Sequence, residues 1–192
     1  MLKVLALLGL MTVCGYAYPT ADLVTELEGQ LDVSYGLYSG YVDVGTTKKL
    51  HYMTALSQND PATDPVIVWF NGGPGCSSML GWATEHGPYI VPDGTDKFIK
   101  NDYSWNIEAT MIYIEAPAGV GYSICTDPES EECNFNDNNS ADDNMVAFLA
   151  IMDKFPELQK NPLWISGESY AGVYVPQLVK RIDKYLVDNA GK

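Results

Sequence analysis

Apolar residues of this chain occur in short runs separated by turn residues, a pattern typical of strands alternating with helices. Runs at 36–44 and 49–56 flank Gly45-Thr46-Thr47 and predict an antiparallel hairpin. Other apolar runs are nearly continuous, and such runs predict strands buried on both faces of a parallel sheet. They lie at 65–71, 110–115 and 163–166, with connections long enough for parallel crossovers.

Helical periodicity appears between these runs. The segment 142–155 predicts a helix with one apolar face, formed by Met145, Phe148, Leu149 and Met152. The segment 174–185 predicts a second helix, and residues 85–86 are expected in a third. Strands alternating with helices indicate one α/β layer structure without repeats or long linkers.

The run Trp164-Ile165-Ser166-Gly167-Glu168-Ser169-Tyr170-Ala171-Gly172 predicts a strand, a tight turn and a helix, with Ser169 at the apex. Such an elbow presents a serine hydroxyl to solvent at the carboxyl end of a strand, where the hydroxyl can act as a nucleophile. The usual Gly-x-Ser-x-Gly pattern ends in glycine, whereas this chain has Ala171, which is still small enough for close packing. The run therefore predicts an acyl-transfer site.

A second run, Asn71-Gly72-Gly73-Pro74-Gly75-Cys76-Ser77-Ser78, directly follows the apolar residues 66–70. Consecutive glycines leave backbone amides uncovered, and an amide aimed at a tetrahedral oxyanion stabilises it by roughly 3 kcal/mol. The alternative is a plain strand-to-helix turn in which the glycines only supply positive φ.

Together the motifs resemble the serine carboxypeptidase family, peptidases of the α/β-hydrolase fold that remove residues from peptide C-termini. The resemblance extends from about residue 35 to residue 192. It is carried by five blocks in order: 69–78, Glu85-His86-Gly87-Pro88, 101–106, Glu115-Ala116-Pro117-Ala118-Gly119-Val120-Gly121-Tyr122-Ser123, and Gly167-Glu168-Ser169-Tyr170-Ala171-Gly172.

The resemblance implies a mostly parallel sheet that opens with the N-terminal antiparallel hairpin, and it implies roles for site residues. Ser169 would be the nucleophile of an acyl-enzyme mechanism. The backbone amides of Gly73 and Tyr170 would form the oxyanion hole. Family members use no metal or other cofactor, and the sequence has no histidine or cysteine cluster at ligand spacing.

The resemblance also implies a set that reads the free carboxylate of a substrate: Asn71, Trp69, Glu85 and Glu168. Two ionised glutamates would repel that carboxylate, so one of them is expected to hold a proton, which predicts activity at acidic pH. Trp69 fits a core position equally well. Glu115, at a strand end, is given no role, and the block at 101–106 is interpreted as loop packing.

The triad acid and histidine of this fold follow the nucleophile in chain order, but no histidine follows Ser169 in the remaining 23 residues. His51 and His86 precede it and are interpreted as structural or surface residues. We therefore expect residues 18–192 to be the N-terminal part of a single α/β-hydrolase domain, truncated after the nucleophile helix and inactive alone. The strand before Ser169 is expected at a sheet edge, where a missing C-terminal half would associate.

Composition limits which binding partners and which cellular compartments are expected for this chain. The chain has 25 acidic and 11 basic residues, a net charge of −14, so nucleic acid and anionic membranes would be repelled. Residues 1–17 have a lysine, an apolar core and a small-x-small ending, typical of a signal peptide, and no stretch is long enough to span a membrane. These features predict a secretory-pathway protein, lysosomal, vacuolar or extracellular.

Cysteines and a sequon fit that compartment. Cys125 and Cys133 flank a short acidic loop that they could close as a disulfide. The family resemblance would pair Cys76 with a cysteine beyond this sequence. Asn138-Asn139-Ser140 is a glycosylation sequon in a polar segment expected to be a loop.

Two alternatives to a carboxypeptidase acting on peptide or protein C-termini remain open from the sequence. An inactive homologue could bind peptide C-termini without hydrolysis. A serine-dependent acyltransferase could use the same fold and serine with another acceptor. The residues that read the carboxylate favour the peptidase.

Overall fold

The structure is a computed structural model that describes residues 18–28 and 31–190. The predicted signal peptide, 1–17, lies outside the described residues. The strands, in chain order, are β1 (Leu37–Asp43), β2 (Lys48–Ala55), β3 (Val66–Phe70), β4 (Tyr89–Ile90), β5 (Ile99–Lys100), β6 (Thr110–Ile114), β7 (Ile124–Cys125) and β8 (Leu163–Gly167).

The main sheet has the strand order β1-β2-β6-β3-β8, with β7 paired to one end of β2. β1 and β2 form the predicted antiparallel hairpin, and β2 is also antiparallel to β6. β3 lies between β6 and β8 and is parallel to both. The carboxyl ends of these three strands therefore meet at the same end of the sheet. Among the described residues, β8 and β1 are the two outer strands of the order given above.

Two long helices pack on one face of the sheet. α1 (Asp137–Lys154) begins five residues before the predicted start, because the Asn136 side chain accepts hydrogen bonds from the amides of Asn138 and Asn139 and caps the helix. α2 (Ala171–Asp188) also begins earlier than predicted, directly after the elbow. Sequence periodicity missed both starts because their first turns are polar or small.

The predicted third helix is reduced to one wide turn, Gly81–Glu85. His86 lies just beyond this turn, so the prediction that His86 is helical was wrong. The His86 amide donates to the Gly81 carbonyl, and Gly87 packs directly against the Trp82 carbonyl, where a longer side chain would collide. Beyond this turn, His86 Nε2 lies 3.9 Å from Glu85 Oε2.

The sheet buries apolar side chains on both faces. One cluster lies between the sheet and the two helices, and includes Val68, Phe70, Phe148, Ile151 and Leu178. The predicted apolar face of α1 agrees in part, since Phe148 and Met152 are buried while Met145 and Leu149 are only partly buried. The second cluster lies on the other face and includes Trp69, Trp82, Met111 and Tyr113.

The predicted disulfide and the predicted glycosylation sequon both lie within the described residues. Cys125 and Cys133 form the predicted disulfide. Asn138 is exposed, but it lies in the first turn of α1 and not in a loop, and Ser140 of the sequon is buried. Glycosylation there stays a prediction. None of the helices in the described ranges is long and apolar enough to cross a membrane.

Candidate active site

Ser169 lies in the tight turn between β8 and α2. Its φ is +53°, and it is the one non-glycine residue with positive φ in the described part of the chain. A β-carbon placed on Gly167 would lie 2.5 Å from the Phe70 carbonyl oxygen and 2.6 Å from the Ala171 β-carbon. Gly167 is therefore required, and Ala171 fits where the usual pattern has glycine. Ser169 is exposed, as the elbow predicts.

The glycine-rich turn after β3 packs directly against this elbow. A β-carbon on Gly72 would lie 2.5 Å from the Tyr170 amide nitrogen and 2.9 Å from the Ser169 β-carbon. Gly73 has φ +108°, which a side chain would disfavour. The two segments predicted to supply oxyanion donors are thus in contact.

Asn71 is the centre of a polar cluster at the start of this turn. It is 1% exposed. Its Nδ2 donates to Glu168 Oε1 at 3.0 Å and to Glu85 Oε1 at 3.3 Å. Trp69 Nε1 donates to Asn71 Oδ1 at 2.8 Å. All four residues predicted to read a carboxylate therefore lie in one hydrogen-bonded group.

Further contacts fix the orientation of the Asn71 amide. Asn71 Oδ1 also accepts from the Gly81 amide at 3.0 Å, so its oxygen has two donors and its nitrogen faces the glutamates. The backbone amide of Asn71 donates to Ser78 Oγ, and the Ser78 hydroxyl in turn donates to the Ile114 carbonyl at 2.6 Å. Trp69 is 6% exposed and belongs to a core cluster, as the core interpretation expects, while its role in reading a carboxylate stays a prediction.

His86 lies beside this group in an aromatic stack. Its ring is stacked on Trp105 at 4.3 Å and on Tyr113 at 5.6 Å, and it meets the Trp69 ring edgewise at 4.2 Å. Its Nδ1 is hydrogen-bonded to the Tyr113 hydroxyl at 3.0 Å. Burial lowers the pKa of His86 to about 4, despite the attraction of the Glu168 charge.

His51 is also engaged away from the elbow. It is 4% exposed, its Nδ1 lies 2.9 Å from Glu115 Oε2, and its Nε2 lies 2.9 Å from Ser39 Oγ. These contacts agree with the structural interpretation of both histidines. They leave Ser169 without a histidine partner from the described residues.

Sequence reasoning missed several residues that support the site. Asn101, interpreted as loop packing, donates from Nδ2 to the Gly87 carbonyl at 2.9 Å and to the Glu85 carbonyl at 3.3 Å, and so holds the segment that carries Glu85. Ser78 and Gly81 orient Asn71. Two sequence signals were available: Ser77 and Ser78 belong to the block at 69–78, and Asn101 belongs to the block at 101–106. The described residues contain no group of three or more histidine, cysteine, aspartate or glutamate side chains arranged to hold a metal ion.

The sequence matches the family profile of serine carboxypeptidase over residues 27–191, and the chain therefore belongs to the serine carboxypeptidase family. It is similar to a solved prohormone-processing carboxypeptidase from Saccharomyces cerevisiae, with a TM-score of 0.69 and 24% sequence identity, covering 92% of this chain and 40% of the yeast chain. At that identity the likeness concerns the fold, and it supports the α/β-hydrolase prediction.

Curated relatives give the same family. The chain is 43% identical over 171 residues to a serine carboxypeptidase of Caenorhabditis elegans, covering 86% of this chain and 35% of that protein. It is 46% identical over 164 residues to lysosomal protective protein of Mus musculus, covering 84% of this chain and 34% of the mouse protein. The chain spans about a third of the length of these relatives.

The buried His86 predicts a pH-dependent stability. Its folded pKa of about 4 lies below the ordinary value of 6.5, so as pH falls the unfolded chain binds the proton first. The free energy of unfolding should rise between pH 4 and 6.5 by up to about 1.4 kcal/mol per pH unit from this group. NMR titration should show the His86 ring resonances unchanged from pH 7.5 to 5.

Two controls accompany that titration. The same resonances in urea-unfolded protein should titrate near pH 6.5, and the His86→Phe variant should lose the His86 part of the stability slope. A folded-state midpoint at or above 6.5 would contradict the neutral, stacked imidazole.

Proposed function

We propose that the whole protein carrying this sequence is a serine-type carboxypeptidase that releases C-terminal amino acids from peptides through an acyl-enzyme. One observation carries the proposal: Gly72 packs on the amide of Tyr170, while its neighbour Asn71 is hydrogen-bonded to Glu168, the residue before Ser169. A reacting carbonyl and a terminal carboxylate, which are one residue apart in a peptide, would therefore be held at adjoining places.

In this proposal Ser169 Oγ attacks the carbonyl carbon of the last peptide bond while its proton passes to a base. The amides of Gly73 and Tyr170 donate to the oxyanion of the tetrahedral intermediate. The C–N bond then breaks, the proton is transferred to the departing amino acid, and water hydrolyses the ester to free Ser169. The base and its acid partner come from residues outside this sequence, since both of its histidines are bound elsewhere.

Substrate selection in this proposal depends on Asn71 and the two glutamates. The Asn71 amide faces Glu85 and Glu168, and a peptide carboxylate entering there would be a third anion. Proton uptake with the substrate removes one negative charge and turns a repelling oxygen into a hydrogen-bond donor. Binding should therefore tighten as pH falls.

We also propose that the protein works in the secretory pathway or a lysosome-like compartment. Support comes from the Cys125–Cys133 disulfide, which persists in oxidising compartments, and from the similarity to a relative named lysosomal protective protein. An acidic compartment would suit the proposed proton uptake.

The first test is covalent labelling of the native protein with a fluorophosphonate, followed by intact mass after reduction and deglycosylation. We expect one label on Ser169, because the probe's phosphoryl oxygen would take the oxyanion position, and a mass well above that of 192 residues. The Ser169→Ala variant should not be labelled.

A second serine controls for surface reactivity. Ser34 is exposed in a loop, and its Ser34→Ala variant should label like the unaltered protein. Absence of a label from native protein that still binds peptides with a free C-terminus would support the non-catalytic alternative and contradict the peptidase. Transfer of the acyl group to an added alcohol in preference to water would indicate the acyltransferase.

The carboxylate-reading role gives a pH prediction. In Glu168→Gln a permanent amide donor replaces the proton, so KM should vary less between pH 4.5 and 7.5 than in the unaltered enzyme, whose KM should increase with pH. Steady-state hydrolysis of an N-blocked dipeptide measures this. Asp137→Asn is the matched control, because Asp137 contacts the Tyr170 hydroxyl near the elbow but lies outside the Asn71 group. An unchanged KM profile in Glu168→Gln would rule out this role.

A further inference from the structure

Glu115 is a buried carboxylate beneath the glycine-rich turn, and the mechanism above does not use it. It follows β6 directly and is 0% exposed. Its Oε2 lies 2.9 Å from His51 Nδ1 and accepts from the Tyr122 amide at 2.8 Å. Its Oε1 accepts from the hydroxyl of Ser77. Three separate segments therefore donate to one side chain.

The surroundings favour the ionised form of Glu115. Burial by itself raises the pKa of Glu115, but the hydrogen bonds from His51, Ser77 and Tyr122 outweigh it, and the pKa is lowered overall. Gly121 packs directly on the carboxylate, where any side chain would collide with it. Such a desolvated, fully paired anion holds its partners more firmly than a solvated one would.

Two consecutive serines attach the glycine-rich turn to the end of β6. Ser77 donates to the Glu115 side chain, and Ser78 donates to the Ile114 carbonyl at 2.6 Å. Within the turn, the Cys76 amide donates to the Gly72 carbonyl at 3.0 Å. The hydrogen bonds of Cys76, Ser77 and Ser78 therefore fix the position of Gly72 and Gly73 over the elbow.

We infer that Glu115 is a positioning residue: through Ser77, and backed by His51, it holds the Gly72-Gly73 turn at the distance from Tyr170 that a shared oxyanion requires. This inference rests on the proposed function and adds to it a residue that touches neither substrate nor nucleophile. Oxyanion donors act only when pre-aimed, and a misplacement of about 1 Å can cost on the order of a hundredfold in rate.

The same geometry separates rate from substrate binding. Asn71 keeps its own contacts with Trp69, Gly81 and Ser78, none of which involves Glu115. Loosening Ser77 should therefore lower kcat, which depends on the oxyanion hole, and leave KM nearly unchanged.

The test uses Ser77→Ala in the whole enzyme, which removes one hydroxyl and leaves Glu115 paired with His51 and Tyr122. We expect kcat to fall about tenfold, with KM within twofold, and the rate of fluorophosphonate labelling to fall in parallel. Ser77→Thr keeps the hydroxyl and should recover kcat to within about threefold.

Ser57→Ala is the matched control. Ser57 donates to Asp64 Oδ2 at 2.6 Å, so Ser57→Ala also loses a partly buried hydroxyl-to-carboxylate hydrogen bond, away from the glycine-rich turn. It should shift the thermal midpoint about as much as Ser77→Ala while kcat stays unchanged. A purely structural role for Ser77 would make the two variants alike.

Glu115→Gln is a second test variant. Because a neutral amide cannot accept from three donors at once, its kcat should fall at least as far as that of Ser77→Ala. Unchanged kcat in Ser77→Ala, or an increase in KM with kcat retained, would overturn the inference while leaving the proposed function intact. Failure of the unaltered protein to hydrolyse peptides would instead overturn the proposed function, and the inference with it.

Discussion

The contact between the Gly72 backbone and the Tyr170 amide is the constraint on which the site depends. It exists because β3 and β8 are adjacent and parallel, so both strands end at the same edge of the sheet. A β-carbon placed on Gly72 would lie 2.5 Å from that amide nitrogen, so no other residue type fits. Because Gly72 has no side chain, two amide donors from segments about a hundred residues apart in sequence can approach a single oxygen.

The polar groups around this contact are arranged in two layers. Next to the elbow, Asn71 joins Glu85 and Glu168, which are exposed and available to a ligand. Beneath the turn, Glu115 and His51 are buried and hydrogen-bonded to each other and to other protein groups. A buried carboxylate without partners would cost several kcal/mol, so the lower layer is stable only as a complete set.

Much of the fold followed from local patterns. The hairpin, the three parallel strands and the elbow were predicted because continuous apolar runs and turn residues report directly on strands and their ends. The starts of α1 and α2 were not, because a capping asparagine and a helix that begins with Ala171 leave no apolar period to detect. The single turn at 81–85 ends where Gly87 packs on the Trp82 carbonyl, a close backbone contact that apolar periodicity does not report.

The site was predicted less evenly. Motif resemblance named Asn71, Glu85 and Glu168, and the structure brings them together. The role of Glu115 could not be read from its position in the sequence, because its partners His51 and Ser77 lie 64 and 38 residues away. The buried state of His86 likewise depends on aromatic rings from other segments.

In the proposed mechanism, the backbone amides of Gly73 and Tyr170 donate to one oxyanion. The most direct measurement is an experimental structure of the whole protein with Ser169 phosphonylated. We expect the phosphoryl oxygen to lie about 2.7–3.1 Å from both amide nitrogens. A phosphoryl oxygen turned to solvent, or bonded to only one of the two amides, would contradict this mechanism.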